Sequence, residues 1–495
     1  LSLCIFATME ETGSILYELY EPVIGLEIHA QLNTLSKAYS SDSASYGGAP
    51  NTHVSPISLG HPGTLPRPNK AVVEAAIKLG LACGCDITEY NRYARKNYFY
   101  ADLPKGYQIT QDKTPICTGG SVTVDLEDGE QRTIGLTRIH MEEDSGKSIH
   151  DLDPFHSLID LNRAGVPLLE IVSEPDIRSA EEAGAYVAEI RKLVRYLEIC
   201  DGNMEEGSLR CDANISVRKK GTEKFGTKVE VKNMNSMRNV QRAINYEIKR
   251  QIEALESGEA LYQETRNFDA VQGTTSVMRS KEDAHDYRYF PEPDIHPLVV
   301  RQPQIDAVQK SLPPLPAALL AKYVNELGLP EYDARIITES KPFALYFERV
   351  LESTTHAKSA SNWMMGPVKM ALNERGIGIE ELELAPSRLA QLIELVESGA
   401  VSFSAASQTL LPLLLNEDTD PKLLAERENL IQERDDSALE QWIDAALSAY
   451  PEKVVDYQNG KKGLIGLFMG EVMKASKGKA DPKKTNQLLQ AKLRS

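Results

Sequence analysis

A chain of 495 residues with 41% hydrophobic and 26% charged residues is too long for one ordinary core and predicts two to four domains of roughly 100–250 residues. No apolar run in it reaches the length that spans a bilayer, which excludes a membrane-spanning helical protein. The net charge of −17 argues by itself against nucleic-acid binding, and six scattered cysteines argue against a disulfide framework and for a reducing cytoplasm.

Residues 1–18 read as an N-terminal extension outside the fold. Leu1 to Thr8 are apolar but too few for a secretory core, no basic lead or cleavage site accompanies them, and Met9 offers an alternative start. From 19 to 303, alternating strand patterns mix with amphipathic helices under frequent Gly and Pro punctuation, which predicts one large α+β domain with an antiparallel-rich sheet. The first strand, Val23 to Leu32, puts Ile24, Leu26, Ile28 and Leu32 on one face and Glu27, His29 and Gln31 on the other. A carboxylate and an imidazole two residues apart can converge on one divalent cation, and hard oxygen donors suit Mg²⁺ or Mn²⁺; a solvated sheet face is the plainer alternative. Cys83 and Cys85 follow a helix-like stretch, and with no second pair they read as buried thiols.

Further on, alternation in Arg138 to Asp144 groups Arg138, His140 and Glu142 and leaves Glu143 at a turn. Pro167 to Val172 contributes Glu170. The capping box Ser179 to Glu182 opens a helix predicted over 180–199, and a second helix is predicted over 235–257, stopped by Gly258. Both are expected to cover a sheet. In Gly207 to Val217 the apolar residues take one face and Arg210, Asp212 and Asn214 the other, with Glu205 and Glu206 just before. If these polar faces converge, burying so many ionised groups without a cation would be strongly unfavourable, so a bound metal is the economical explanation. Lys96, Lys105, Lys147, Arg163, Lys232 and Arg288 are the nearby bases that could neutralise triphosphate oxygens. The Gly-rich phosphate loops are missing, so ATP use would need another architecture, and no Ser or Cys nucleophile motif is present.

A boundary is expected near 304, with Pro313-Pro314-Leu315-Pro316 as a stiff mark after which the pattern is almost wholly helical. The charged, turn-rich stretch Asn416 to Pro421 then separates a helical domain over 304–419 from a tail domain over 420–495. That tail is locally basic: Lys461, Lys462, Lys474, Lys477, Lys479, Lys483, Lys484, Lys492 and Arg494 stand against Glu471 and Asp481 after residue 460.

Taken together, Val23 to His29, Arg95 to Ile109, His140 to Ser148, Asp160 to Glu170, Met204 to Asn214, Asp286 to Asp294 and Met473 to Gly478 resemble the B-subunit family of Asp/Glu-tRNA amidotransferases, from about residue 20 to the C-terminus. The resemblance implies a glutamine-synthetase-like cradle, then a helical domain, then a YqeY-like tail that meets tRNA through residues such as Lys474, Lys477 and Lys479. It implies that ATP phosphorylates the side-chain carboxylate of misacylated Glu-tRNA(Gln) or Asp-tRNA(Asn). Ammonia from a glutamine-hydrolysing amidase partner, tied on by a small third polypeptide to make a heterotrimer, then displaces the phosphate. The metal site it points to is Glu27, His29, Glu142 or Glu143, Glu170, and Glu206 or Asp212. Catalysis falls to Glu27, His29, Glu143, Glu170 and Arg210, and nucleotide binding to Lys96, Lys105, Lys147 and Arg163. One departure stands out. Where many members carry four cysteines for a structural zinc, this chain has Ser40, Asp42, Ser55 and Ser58, so no zinc is expected there. A tRNA-binding scaffold without chemistry and a free-standing metal-dependent hydrolase are the other two readings.

Overall fold

The computed structural model describes residues 18–150, 152–280, 287–432, 436–476 and 479–494. Most of the expected N-terminal extension, and Lys477, lie outside them.

The first compact unit runs to Leu315. It is organised by a ten-stranded sheet built from β1 (Tyr20–Gln31), β2 (Asp86–Ile87), β3 (Cys117–Thr118), β4 (Ser121–Asp125), β5 (Gln131–Glu143), β6 (Pro167–Ser173), β7 (Leu209–Lys219), β8 (Val229–Met234), β9 (Glu264–Asp269) and β10 (Thr274–Ser280). The spatial order is β10-β9-β8-β7-β1-β6-β5-β3-β2, with β4 also on β5. Only the β8–β9 pair is parallel. β1 sits at the centre, between β7 and β6. Its alternation is realised as expected: Ile24, Leu26 and Ile28 are fully buried on one face, each contributing about 1.5–3 kcal/mol.

That apolar face is covered by helices α1 (Lys70–Ala82), α2 (Ala180–Tyr196) and α3 (Met237–Ser257), which share its core through residues such as Ile77, Tyr186, Ile190 and Ile244. Ser179 caps α2 by accepting from the Glu182 N–H, while Glu182 reaches back to the Arg178 N–H rather than to Ser179. The helix stops at Tyr196, three residues short of expectation, because Glu198 takes a left-handed φ of 56°. Helix α3 begins at Met237 instead of 235, because Ser236 is its cap, and Gly258 ends it at φ 78°. Helix α4 (Gln302–Ser311) closes the unit, with Ile305 and Val308 against its core. Cys83, Cys85 and Cys117 are buried free thiols, and burial pushes all three well above the ordinary range.

The second unit begins at Pro316, within the proline run. Among the described residues its elements are all helices, from Pro316–Asn325 to Pro482–Arg494. Leu439, Ile443, Phe468, Val472, Leu489 and Leu493 pack as one core near its C-terminus. No helix of the described residues is long and apolar enough to cross a membrane.

Candidate active site

The face of the sheet opposite the helices carries the charges, and strand register decides which of them meet. Across β7, β1, β6 and β5, Arg210 pairs with His29, His29 with Glu170, and Glu170 with His140, so four polar residues form one transverse row. Two residues along, Glu27 pairs with Asp212, and Glu142 follows His140 on the same face of β5 by the strand's period of two. Side-chain atoms close the arrangement: Glu170 Oε2 lies 3.3 Å from His29 Nε2 and 3.5 Å from His140 Nε2, and His140 Nε2 lies 3.5 Å from Glu142 Oε2.

His140, Glu142 and Glu170 are buried, and each offers a ligand atom within 4.8 Å of the others, a set that could hold a divalent cation. His140 Nδ1 has no hydrogen-bond partner among the described residues. The two carboxylates are hard oxygen donors of the kind Mg²⁺ or Mn²⁺ takes, while an imidazole nitrogen suits softer divalent metals better. His140 is the member that the expected ligand set lacked. Its signal was present in the sequence, two positions from Glu142 on one strand face.

Burial pushes the Glu170 carboxyl up, but His140, His29 and Lys96 more than offset that and hold it well below the usual range. Glu142 is likewise lowered: burial opposes, but Lys96, with Nζ 3.2 Å from Oε1, and His140 prevail. Burial drives the His29 imidazole down, and the Glu170 hydrogen bond raises it past its ordinary value. Glu27 goes the other way: burial and then the Glu170 charge raise it, and Lys232 offsets only part of that; its hydrogen-bond partner is the Asn214 amide at 2.8 Å. Lys232 pairs with Asp212 and Glu230 beside it.

Two further charge clusters flank the row. Asp144 accepts from Gln31 at 2.6 Å and from Arg210 at 2.9 Å, and although burial pushes its carboxyl up, Arg210 and Arg163 hold it below the usual range. Arg163 also donates to the Ser145 and Gly146 carbonyls. Gly146 must be glycine here, since a Cβ would sit 2.9 Å from the Asp102 and Asp160 carbonyl oxygens. Glu143, as the odd member of the strand, turns away from the row: it bonds Lys105 and the Ile109 N–H. With Lys37, Lys105 and Tyr39 it lines a separate cavity of about 150 Å³. Lys37, which sequence reasoning passed over, is buried there with Nζ on the His53 and Leu161 carbonyls, and burial lowers its amine to about 8.

Other expected residues stand apart. Glu206 is exposed in the turn before β7, its N–H bound to Asn203. Lys147 is exposed on a two-stranded ribbon, opposite Asp160. In the second unit, Lys474 is exposed and Lys479 reaches Asn429 at 3.3 Å. Ser40, Asp42, Ser55 and Ser58 do converge, but on a carboxylate: Asp42 Oδ2 accepts from all three hydroxyls. Three hydroxyls and one carboxylate do not match the thiolate and imidazole donors of a structural zinc.

Residues 22–306 match the model of the GatB/GatE catalytic domain, and residues 345–493 match that of the GatB domain. The chain belongs to the GatB family. Proteins of this family named as the B subunit of aspartyl/glutamyl-tRNA(Asn/Gln) amidotransferase are similar over nearly the full length. The one from Thermosynechococcus vestitus is 50% identical over 483 residues, covering 96% of each chain. The one from Alkalilimnicola ehrlichii is 50% identical over 479 residues, covering 96% of this chain and all of its own. In this GatB-family chain the row of polar residues falls wholly inside the segment matched by the catalytic-domain model.

Proposed function

We propose that this chain is the subunit that activates and amidates the side-chain carboxylate of misacylated Glu-tRNA(Gln) or Asp-tRNA(Asn), an ATP-dependent ligase forming a carbon–nitrogen bond. The observation that carries the reading is the register-built row Arg210–His29–Glu170–His140 with Glu142 and Glu27 beside it. A carboxylate is a poor acylating agent, so the γ-phosphoryl of ATP is first transferred to it, and ammonia then attacks the carbonyl carbon and expels phosphate. A bound Mg²⁺ would supply positive charge to neutralise the phosphate oxygens.

The chain's own residues do the rest. Glu170, Glu142, His140, Glu27 and His29 would hold the cation, with Asp212 behind Glu27. Lys96, kept cationic by Glu142 and Glu170, and Arg210, kept cationic by Asp144, supply positive charge to the transferring phosphoryl group. Lys105 and Glu143 line the adjoining cavity, and Arg163 fixes the loop that carries Asp144. The nitrogen comes from a glutamine-hydrolysing amidase partner, held together with a small third polypeptide in a cytoplasmic heterotrimer. The chain is organised as a glutamine-synthetase-like cradle over 19–303, a helical domain over 304–419 and a YqeY-like tail over 420–495. Lys474, Lys477 and Lys479 of that tail meet tRNA, and Asp42 holds its loop without zinc.

The test combines the chain with its partner polypeptides, misacylated tRNA, ATP and ammonium. Amidated tRNA is expected from the wild type, with loss of product but not of fold in His29→Ala and His140→Ala. Full activity in both folded variants would place the chemistry elsewhere and leave this chain a scaffold.

A further inference from the structure

Beside the row, four tyrosines form a chain of edge-on ring contacts. Tyr98, Phe99 and Tyr100 follow the strand Ala94–Asn97, and Tyr287 and Tyr289 precede the strand Phe290–Pro291 that pairs with it. Tyr289 meets Tyr287 edge-on at 5.9 Å between ring centres, Tyr287 meets Tyr98 at 5.9 Å, and Tyr98 meets Tyr100 at 5.8 Å. The outer members are open to solvent: Tyr100 is 55% exposed and Tyr289 43%. The ladder starts one side chain from the carboxylates, because Lys96 Nζ lies 5.3 Å from the Tyr287 ring centre and 3.2 Å from Glu142 Oε1.

The backbone is held so as to present these rings. Arg288, between the two tyrosines, has φ 44°, which side-chain-bearing residues rarely adopt. Asn97 pins it there, donating its backbone N–H to the Tyr287 carbonyl and its amide to the carbonyls of both Tyr287 and Arg288. Inward, Tyr98 bonds Gln108, whose amide donates to the Glu143 carbonyl, so the ladder is fixed to the end of β5.

We infer that this tyrosine ladder is a stacking platform for a nucleobase of the substrate. Exposed aromatic rings beside fixed cations are the chemistry that holds bases without reading their sequence. The inference rests on the proposed function, in which two of the reacting groups hang on nucleotides: the phosphoryl on ATP, the acyl group on the last nucleoside of the tRNA. Either source places a base within a nucleotide's length of Glu142 and Glu170. The expected partner is that base, and a protein surface is the competing occupant.

The experiment uses the full chain in its complex and two fluorescent probes, 2-aminopurine riboside triphosphate and an RNA minihelix ending in 2-aminopurine, whose emission falls on stacking. The wild type should quench at least one. Tyr100→Ala with Tyr289→Ala should abolish that quenching and raise KM about ten-fold or more for the matching substrate, ATP or aminoacyl-tRNA, with a smaller change in kcat. The double Phe variant, which keeps both rings, should restore both. Whichever probe responds identifies the source of the base. Unchanged quenching and KM values in an Ala variant of an active complex would overturn the platform while leaving the proposed function standing. So would a defect confined to assembly of the complex, which would make the patch a protein contact. A wild-type complex that does not amidate tRNA at all would instead overturn the proposed function.

Discussion

Replacing Glu170 by Gln removes one negative charge and little volume from the middle of the row. Its Oε2 lies 3.3 Å from His29 Nε2, and at an effective dielectric near 20 a unit pair at that distance is attracted by about 5 kcal/mol. Part of this offsets the cost of burying both groups, and breaking such buried pairs typically costs about 3–5 kcal/mol. The direction for His29 follows from its two opposed influences. Burial depresses its imidazole and Glu170 raises it, so without the carboxylate burial prevails and the pKa falls from above the ordinary value to below it. Because 1.36 kcal/mol is one pKa unit, a loss of even about 2 kcal/mol moves it by more than one unit. A raised histidine stabilises the fold below its unfolded pKa, and that stability is lost as pH rises through the folded value. The deficit of Glu170→Gln should therefore be larger at pH 6 than at pH 8. NMR titration of His29 in labelled protein, with urea unfolding at both pH values, measures both quantities. An unchanged His29 titration in the variant would refute the assembly of the row.

Asp42→Ala removes the acceptor of three hydroxyls, and at about 1 kcal/mol per hydrogen bond the expected loss is roughly 2–3 kcal/mol by chemical denaturation, while a strong chelator leaves the wild-type loop stable. Glu27 is raised above its ordinary range, so its ionised form opposes folding at neutral pH. Glu27→Gln should raise the melting temperature without Mg²⁺ and lose that advantage, or reverse it, when Mg²⁺ and ATP are added. Glu142, Asp144 and Glu170 are all lowered. Their share of stability is full above the ordinary carboxylate pKa near 4 and is lost as pH falls through their folded values. Stability measured by urea unfolding should therefore fall less steeply on acidification in Glu142→Gln than in the unaltered chain.

What could be read before the structure was whatever depends on period two. The apolar and polar faces of β1, the grouping of His140 with Glu142 and the alternation around Arg210 all follow from the local chain. Which strands are neighbours does not. His29 faces Glu170 only because β6 lies against β1 in that one register, a long-range pairing that no local pattern encodes. The same ignorance kept Glu143 and Glu206 among the ligand candidates. Glu143 points away because it occupies the odd position at the end of β5, and Glu206 sits in a turn that no strand carries to the row. The sequence shows hydroxyls and a carboxylate at Ser40, Asp42, Ser55 and Ser58, but that Asp42 would gather all three hydroxyls depends on the fold of two separate loops. Helix ends failed where one left-handed residue, Glu198, overrode a continuing helical pattern.

Anomalous diffraction from crystals grown with Mn²⁺ and a non-hydrolysable ATP analogue tests the central claim most directly. The account predicts a peak bonded to carboxylate oxygens of Glu142 and Glu170 and to His140 or His29, with the γ-phosphate beside Lys96. A peak on Glu143 or Glu206 instead, or none on this face of the sheet with nucleotide bound, would contradict it.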